Sequence, residues 1–484
     1  MQSNSLKVNA ILNMVRKGCA ILFPVITFSY ASHKLGADGM GAYSFSNSVI
    51  SYLLLLAALG VATYAVREGQ AYRDNPKDLK QFISEVYTIN FLMTIVSYVI
   101  LGLLLLFWGK LSAYREIILI LSISIVLTTI GADWINTLLE DYLFITIRFI
   151  VVQIVCLIVL VVVVKGPGDV YKYAAIGMLS SVGGNILNIL HIRRRIRFHL
   201  TLKPNFKRHM KPMLTLFSNN LAIKIYLLAD VTILGIFMAD KYVGYYSAAS
   251  KVYTSIKEML NALILVTVPR FSYLLAHDEK LAYKKSYVGV FDSVSTLIMP
   301  CVMGLLFHAD NILFYLGGKD YIYGAGALRI LSFAMIFAVA ACLFSQSILI
   351  PYKQEKYFLR ATVVSAVTNI VFNFILIPLF GIEAAALTTL ASEVIVCIMT
   401  LHRSRVYHDK VILVTQDLKS AIIGSVAVGI VCLVMKICIS NRLAELLCSV
   451  VISCAVYFSI TYSMKNGTVR KGVNNVIRRL SRLK

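Results

Sequence analysis

Fourteen apolar stretches, each at or near the length that crosses a bilayer, occupy almost all of this chain. A helix rises about 1.5 Å per residue, so roughly 20 residues traverse a hydrocarbon core. The stretches run over 10–32, 42–64, 84–108, 115–136, 145–164, 173–192, 213–237, 243–268, 286–307, 327–350, 358–379, 383–401, 419–438 and 443–463. Only 15% of residues are charged, against about 25% in soluble chains, so the runs are membrane spans rather than the cores of water-soluble domains. Arg16 and Lys17 precede an apolar run that leads straight into a second one, which predicts a retained first span rather than a removed signal peptide.

A formal net charge of +23 would suggest nucleic acid if the basic residues shared one solvated domain. They are instead scattered between apolar runs, which excludes a nucleic-acid partner. The nine cysteines all fall in or beside apolar segments without a C-x-x-C pair. They read as small apolar fillers, and neither a metal site nor a cofactor is expected.

Basic loops resist translocation, so Lys and Arg counts orient the spans. With the N-terminus inside, 34 of the 47 basic residues fall in inside loops, tails and the adjoining span ends and nine in outside loops and the adjoining span ends; Lys224, Lys251, Lys257 and Arg329 are the four counted within spans. An even number of spans with both ends cytoplasmic follows. The longest inside loop carries Arg193, Arg194, Arg195, Arg197, Lys203, Lys207, Arg208 and Lys211, a topology determinant that would also rest on anionic headgroups of membrane lipids. In the tail, Arg478, Arg479, Arg482 and Lys484 alternate with Val476, Ile477, Leu480 and Leu483, the pattern of an amphipathic surface helix.

An internal repeat organises the spans. Gly41-Ala42-Tyr43-Ser44 follows span 1 and Gly244-Tyr245-Tyr246-Ser247 follows span 7, 203 residues later, and Ala37-Asp38 recurs as Ala239-Asp240. Both turns are expected outside, so the halves share a direction, one of the recognised transporter plans, with the substrate site where the repeats meet. The expected fold is an all-α polytopic membrane protein of about 14 transmembrane helices: two six-helix lobes related by a parallel pseudo-two-fold repeat, plus two C-terminal helices. The segments would be an N-lobe (1–192), a basic cytoplasmic linker (193–212), a C-lobe (213–402), spans 13 and 14 (403–463) and a basic cytoplasmic tail (464–484).

Ionisable groups near mid-bilayer cost at least ~2.5–3.5 kcal/mol, so they pair or border a wet cavity. Spans 7 and 8 concentrate them. Depth along this hairpin matches Asp230 with Lys251 and Lys224 with Glu258, leaving Lys257 as a cavity-facing cation for a phosphate. Arg16 and Lys17, with Asn9 and Asn13 before them, add polarity to the inner end of span 1; Ser44, Asn47 and Ser51 stripe span 2. Asp133, Asp292 and Glu393 read as isolated carboxylates, and Pro24 and Pro300 should bend their helices.

The order of several short motifs resembles the polysaccharide (O-antigen, Wzx-type) flippases of the multidrug/oligosaccharidyl-lipid/polysaccharide exporter superfamily over nearly the whole chain. They are Phe23-Pro24-Val25-Ile26-Thr27-Phe28-Ser29-Tyr30 with Leu35-Gly36; Trp134 leading to Glu140-Asp141 and Arg148; Asp230 to Gly235 with Gly244 to Lys251; Pro269-Arg270-Phe271-Ser272; and Gly381 to Ala386. The chain departs from the pattern at Ser29 and His33, where relatives carry Pro and Arg, and at Leu138, where they carry Gly.

The resemblance implies a flippase that moves an undecaprenyl-diphosphate-linked oligosaccharide to the outer leaflet of the cell membrane by alternating access. It implies coupling to a proton or sodium ion, and polysaccharide-assembly proteins as partners. Substrate contact falls to Lys224, Lys251, Lys257, Arg16, Lys17 and Asn47, and gating or ion pairing to Asp230, Glu258, Glu140 and Arg148. Without a G-x-x-x-x-G-K-[ST] sequence, ATP hydrolysis by the chain is not expected. A lipid II or multidrug exporter is the alternative. A membrane saccharide polymerase is disfavoured because the largest outside loop, 308–326, offers only Asp310, Lys319 and Asp320.

Overall fold

The structure, a computed structural model, describes residues 6–196, 198–407 and 414–481. Arg197, Arg482 and Lys484 lie outside them, as do the side chains of Asn9, Asn13, Lys17 and Arg479. The described residues form seventeen α-helices: α1 (Leu6–Ala58), α2 (Val61–Gly69), α3 (Pro76–Phe107), α4 (Arg115–Gly131), α5 (Asp133–Leu138), α6 (Tyr142–Val163), α7 (Val170–Val182), α8 (Gly184–Arg195), α9 (Phe206–Phe237), α10 (Asp240–Leu265), α11 (Val268–Ala276), α12 (Lys280–Gly317), α13 (Ala325–Phe344), α14 (Glu355–Tyr407), α15 (Gln416–Cys438), α16 (Arg442–Ser463) and α17 (Gly467–Ser481). Twelve helical segments are long and apolar enough to cross a membrane. The chain is therefore an all-α, multi-pass membrane protein.

Two of those segments draw on 53-residue helices, α1 and α14. At about 80 Å each they exceed any bilayer core, and a glycine with left-handed φ divides both: Gly36 (φ 70, ψ −177) and Gly381 (φ 63, ψ −135). In α14 the arms run antiparallel, since Ser365 Oγ donates to the Ser392 carbonyl at 2.9 Å and Thr388 Oγ1 to Asn373 Oδ1 at 2.5 Å. For α1 the neighbours settle the direction. Thr146 Oγ1 reaches the Leu12 carbonyl (3.4 Å) and Tyr30 Oη the Val161 carbonyl (3.1 Å), so the first arm runs alongside α6. The Tyr43 and Tyr173 rings pack at a tilt with centres 4.6 Å apart, and Gly39 abuts Val170, so the second arm runs alongside α7. Since Gln153 and Ser180 bond reciprocally across the antiparallel α6–α7 pair, the arms of α1 oppose each other, and Gly36 is the tip of a hairpin.

The chain divides into two compact units, 1–247 and 248–484. In the first, α1 is central and packs against α3, α4, α6 and α9. One end is closed by a core of Tyr64, Phe82, Ile83, Trp134, Leu138 and Met213. Here Ala132 takes φ 42 and breaks the run expected as one span over 115–136 into α4 and α5. The expected linker is also shorter than its basic run: α8 continues to Arg195 and α9 begins at Phe206, so Lys207, Arg208 and Lys211 are helical. In the second unit α12 packs against α13 and α15, α13 against both arms of α14, and α15 against α16.

Element order supports the repeat independently of the glycine turns. A short helix follows the second crossing arm (α2) and the eighth (α11), then comes a long helix (α3, α12), then a 3-10 turn. Those turns carry Gly109-Lys110-x-x-x-Tyr114 and Gly318-Lys319-x-x-x-Tyr323.

Candidate functional site

Two helices of the first unit come into backbone contact where the two copies of the repeated turn meet. A Cβ placed on Gly41 would stand 1.8 Å from the Asp240 carbonyl oxygen, and one on Gly244 would stand 2.1 Å from that of Ala37. Ala37 and Asp240 are 203 residues apart, as are Gly41 and Gly244. The contact is therefore reciprocal, each copy offering its glycine to the other's backbone, as a two-fold relation demands. The sequence supplies glycine because no side chain fits.

Around this seam, Gly235 lies under the ring of fully buried Phe45, which meets Tyr114 edge-on at 5.1 Å. Tyr114 Oη donates to Asp240 Oδ1 at 2.6 Å, and Lys110 Nζ donates to the Ile236 carbonyl. Further along, Thr232 Oγ1 donates to Ser48 Oγ (3.0 Å) and contacts Tyr52 Oη (3.3 Å), while Tyr246 Oη donates to Asp230 Oδ2. Ser48 and Tyr52 of α1 thus bond α9. The expected stripe points elsewhere, with Asn47 exposed and Ser44 and Ser51 half-buried.

Lys257 differs most from expectation. It is buried rather than cavity-facing and unpartnered: its Nζ lies 3.3 Å from Glu393 Oε1 and 4.6 Å from the Tyr253 ring centre, while Tyr253 Oη donates to the same carboxylate oxygen at 2.9 Å. Glu393, expected to be isolated, is this partner, contributed by the second arm of α14. Asp133 is likewise paired, with Arg148 Nη2 at 2.8 Å and Asn188 Nδ2 at 3.2 Å. Asp292 accepts from Thr415 Oγ1 at 2.5 Å, and Arg329 pairs with Asp310. The physical reason is common to all of them: a carboxylate in an apolar setting recruits whatever donor shares its depth.

Of the other expected site residues, Glu140 (φ 59) pairs with Arg73 at 2.9 Å, and Arg148 is buried in the Asp133 pair, so these two engage separate partners. Lys224, Lys251 and Arg16 are half-buried, Glu258 is exposed, and the Lys17 side chain lies outside the described residues.

Sequence reasoning missed one cluster entirely. Fully buried His209 of α9 contacts Glu85 Oε2 through Nε2 and Tyr64 Oη through Nδ1, both at 2.7 Å, and Gln81 donates to Glu85 Oε1 at 2.9 Å. His209 sits in the basic run that composition marked as a loop, so only a helical reading of that run would have exposed it. No group of three or more metal-ligating side chains occurs among the described residues.

Comparison with known proteins agrees with this architecture. Residues 6–275, over half the chain, match the family model described as polysaccharide biosynthesis protein. A protein of Escherichia coli strain K12 named as an O-antigen transporter is 21% identical over 407 residues, covering 82% of this chain and 96% of that one. A Haloferax volcanii protein named as a low-salt glycan biosynthesis flippase is 29% identical over 174 residues, 36% of each chain. Among solved structures, the lipid II flippase MurJ in an inward closed conformation superposes with a TM-score of 0.77 at 16% identity, covering 94% of this chain and 98% of that one. An inward-facing multidrug resistance MATE transporter gives 0.64 at 14% identity, covering 80% and 94%. At these identities the two likenesses establish the fold.

Proposed function

The chain belongs to the polysaccharide biosynthesis protein family, and from that premise we propose that it is a flippase carrying a lipid-linked oligosaccharide between the leaflets of a cytoplasmic membrane. The observation that carries this reading is the reciprocal glycine seam. Two copies of one turn, held by backbone contact and a few hydrogen bonds, form a joint that parts without unfolding either copy. Alternating access requires such a joint at the repeat interface. Both termini are assigned to the cytoplasmic side by the distribution of basic loops, which places the seam at the outer end. Lys224, Lys251, Arg16 and Lys17 are assigned to the diphosphate, and Lys257 joins them when its carboxylate partner is displaced. Coupling runs on a cation gradient, and the chain performs no catalysis.

The test is reconstitution. Proteoliposomes bearing a fluorescent undecaprenyl-diphosphate oligosaccharide in one leaflet should expose it to an impermeant quencher on the other side, at a rate that rises with protein. A rate equal to that of empty liposomes would refute the proposal.

A further inference from the structure

The second unit contains a cavity of about 330 Å³ bordered by α12, α15 and α16, lined chiefly by apolar groups that include Pro300, Gly304, Cys432 and Tyr457. Its apolar flank reaches the exposed surface at Leu297 and Val450. One end is different. His308, only 3% exposed, contributes two ring nitrogens without a hydrogen-bond partner, and fully buried Ser449 contributes an unpartnered hydroxyl. Behind them, Glu445 Oε2 accepts from Asn311 at 2.7 Å, whereas Oε1, 3.5 Å from His308 Nδ1, makes no hydrogen bond. Leaving such groups dry is unfavourable, and a ligand headgroup that hydrogen-bonds to them removes that penalty.

We propose that this cavity is a binding site for a single-chain lipid alcohol, separate from the transport path. The apolar volume takes the chain, and the polar end takes a group that both donates and accepts. A hydroxyl does both, meeting a ring nitrogen of His308 and the hydroxyl of Ser449 as donor to one and acceptor from the other. A phosphate does not fit, because the Glu445 carboxyl group beside His308 disfavours an anion, and Lys436, a cation near His308, is paired with Asp310 at 3.5 Å. The polar end therefore selects against the charged headgroup of a lipid-linked sugar.

The experiment uses the full chain in phosphatidylcholine nanodiscs and reads melting temperature with 1-dodecanol, dodecyl phosphate or dodecane added. Dodecanol should raise the melting temperature by several degrees, and the other two should not. Gly304→Phe provides a plug that leaves the polar end intact, since a Cβ there meets nothing within 4 Å. It should abolish the shift, as should His308→Phe. A shift of equal size with dodecane, or one that survives both substitutions, would overturn the assignment, as would no shift with dodecanol; water would then be the occupant of the polar end.

Discussion

Gly41→Ala is the sharpest perturbation of the proposed joint. The new Cβ would lie 1.8 Å from a backbone oxygen, whereas ordinary contact begins near 3.4 Å, so the seam must widen by about 1.6 Å at that point. The obstacle is main chain, and no rotamer relieves it. Overpacking of this kind costs about 1–3 kcal/mol, and because the cost vanishes once the seam parts, it shifts the closed-to-open equilibrium roughly 5- to 150-fold. Gly244→Ala, at 2.1 Å from the other copy's backbone, should act alike, whereas Gly102→Ala meets nothing and is the control. The readout is the rate at which an impermeant maleimide labels a cysteine placed at Ala37, which is 5% exposed, in a background lacking the nine native cysteines. Labelling should accelerate at least fivefold in both seam variants and not in the control, with transport falling in parallel. A Gly41→Ala protein that labels at the parental rate and still transports would show that the seam does not part.

Three further outcomes follow. Lys257→Met leaves Glu393 buried against Tyr253 alone and should destabilise the second unit by about 3–5 kcal/mol, read as a lower melting temperature; adding Glu393→Gln should recover most of that without recovering transport, and a transporting double variant would make the lysine purely structural. Asp417 accepts from Gly467 N (2.7 Å) and Thr468 N (2.9 Å) at the start of α17, so Asp417→Ala should cost about 1 kcal/mol there and speed proteolytic clipping of the tail; unchanged clipping would refute the cap. Gly36→Ala forces an L-residue into backbone space that is essentially glycine's alone and should cost about 1–3 kcal/mol of stability, while Gly18→Ala, in open surroundings at ordinary φ, should be neutral; equal melting temperatures would remove the hairpin tip at Gly36.

The fold was legible where the bilayer does the specifying. Each crossing arm must be apolar along its whole length, so hydropathy found the arms, and the gaps between the runs at 32–42 and 379–383 hold the glycines, Gly36 and Gly381, at which the structure divides α1 and α14. The seam was half legible. Offset identity revealed that the turn repeats, but that Gly41 faces Asp240 rather than its own helix neighbours depends on how the copies cross. Charge pairing was the part that failed, and Lys257 shows why. Matching depths along one sequence-adjacent hairpin considered only α9 and α10, whereas the partner comes from α14, 136 residues away. Insertion cost dictates that a buried lysine finds a carboxylate and leaves open which helix brings it, so composition predicts the existence of such pairs and tertiary packing alone chooses their members. The same logic gives Lys257 two roles with opposite demands. An ion pair this dry holds α10 to α14 at rest, and a diphosphate that displaces Glu393 must exceed the strength of that pair, so transport requires a substrate with at least the charge of the carboxylate it replaces. An uncharged undecaprenyl-linked sugar should therefore fail to cross in the reconstituted assay even though its saccharide is unchanged, and its passage at the diphosphate's rate would sever Lys257 from the carrier cycle.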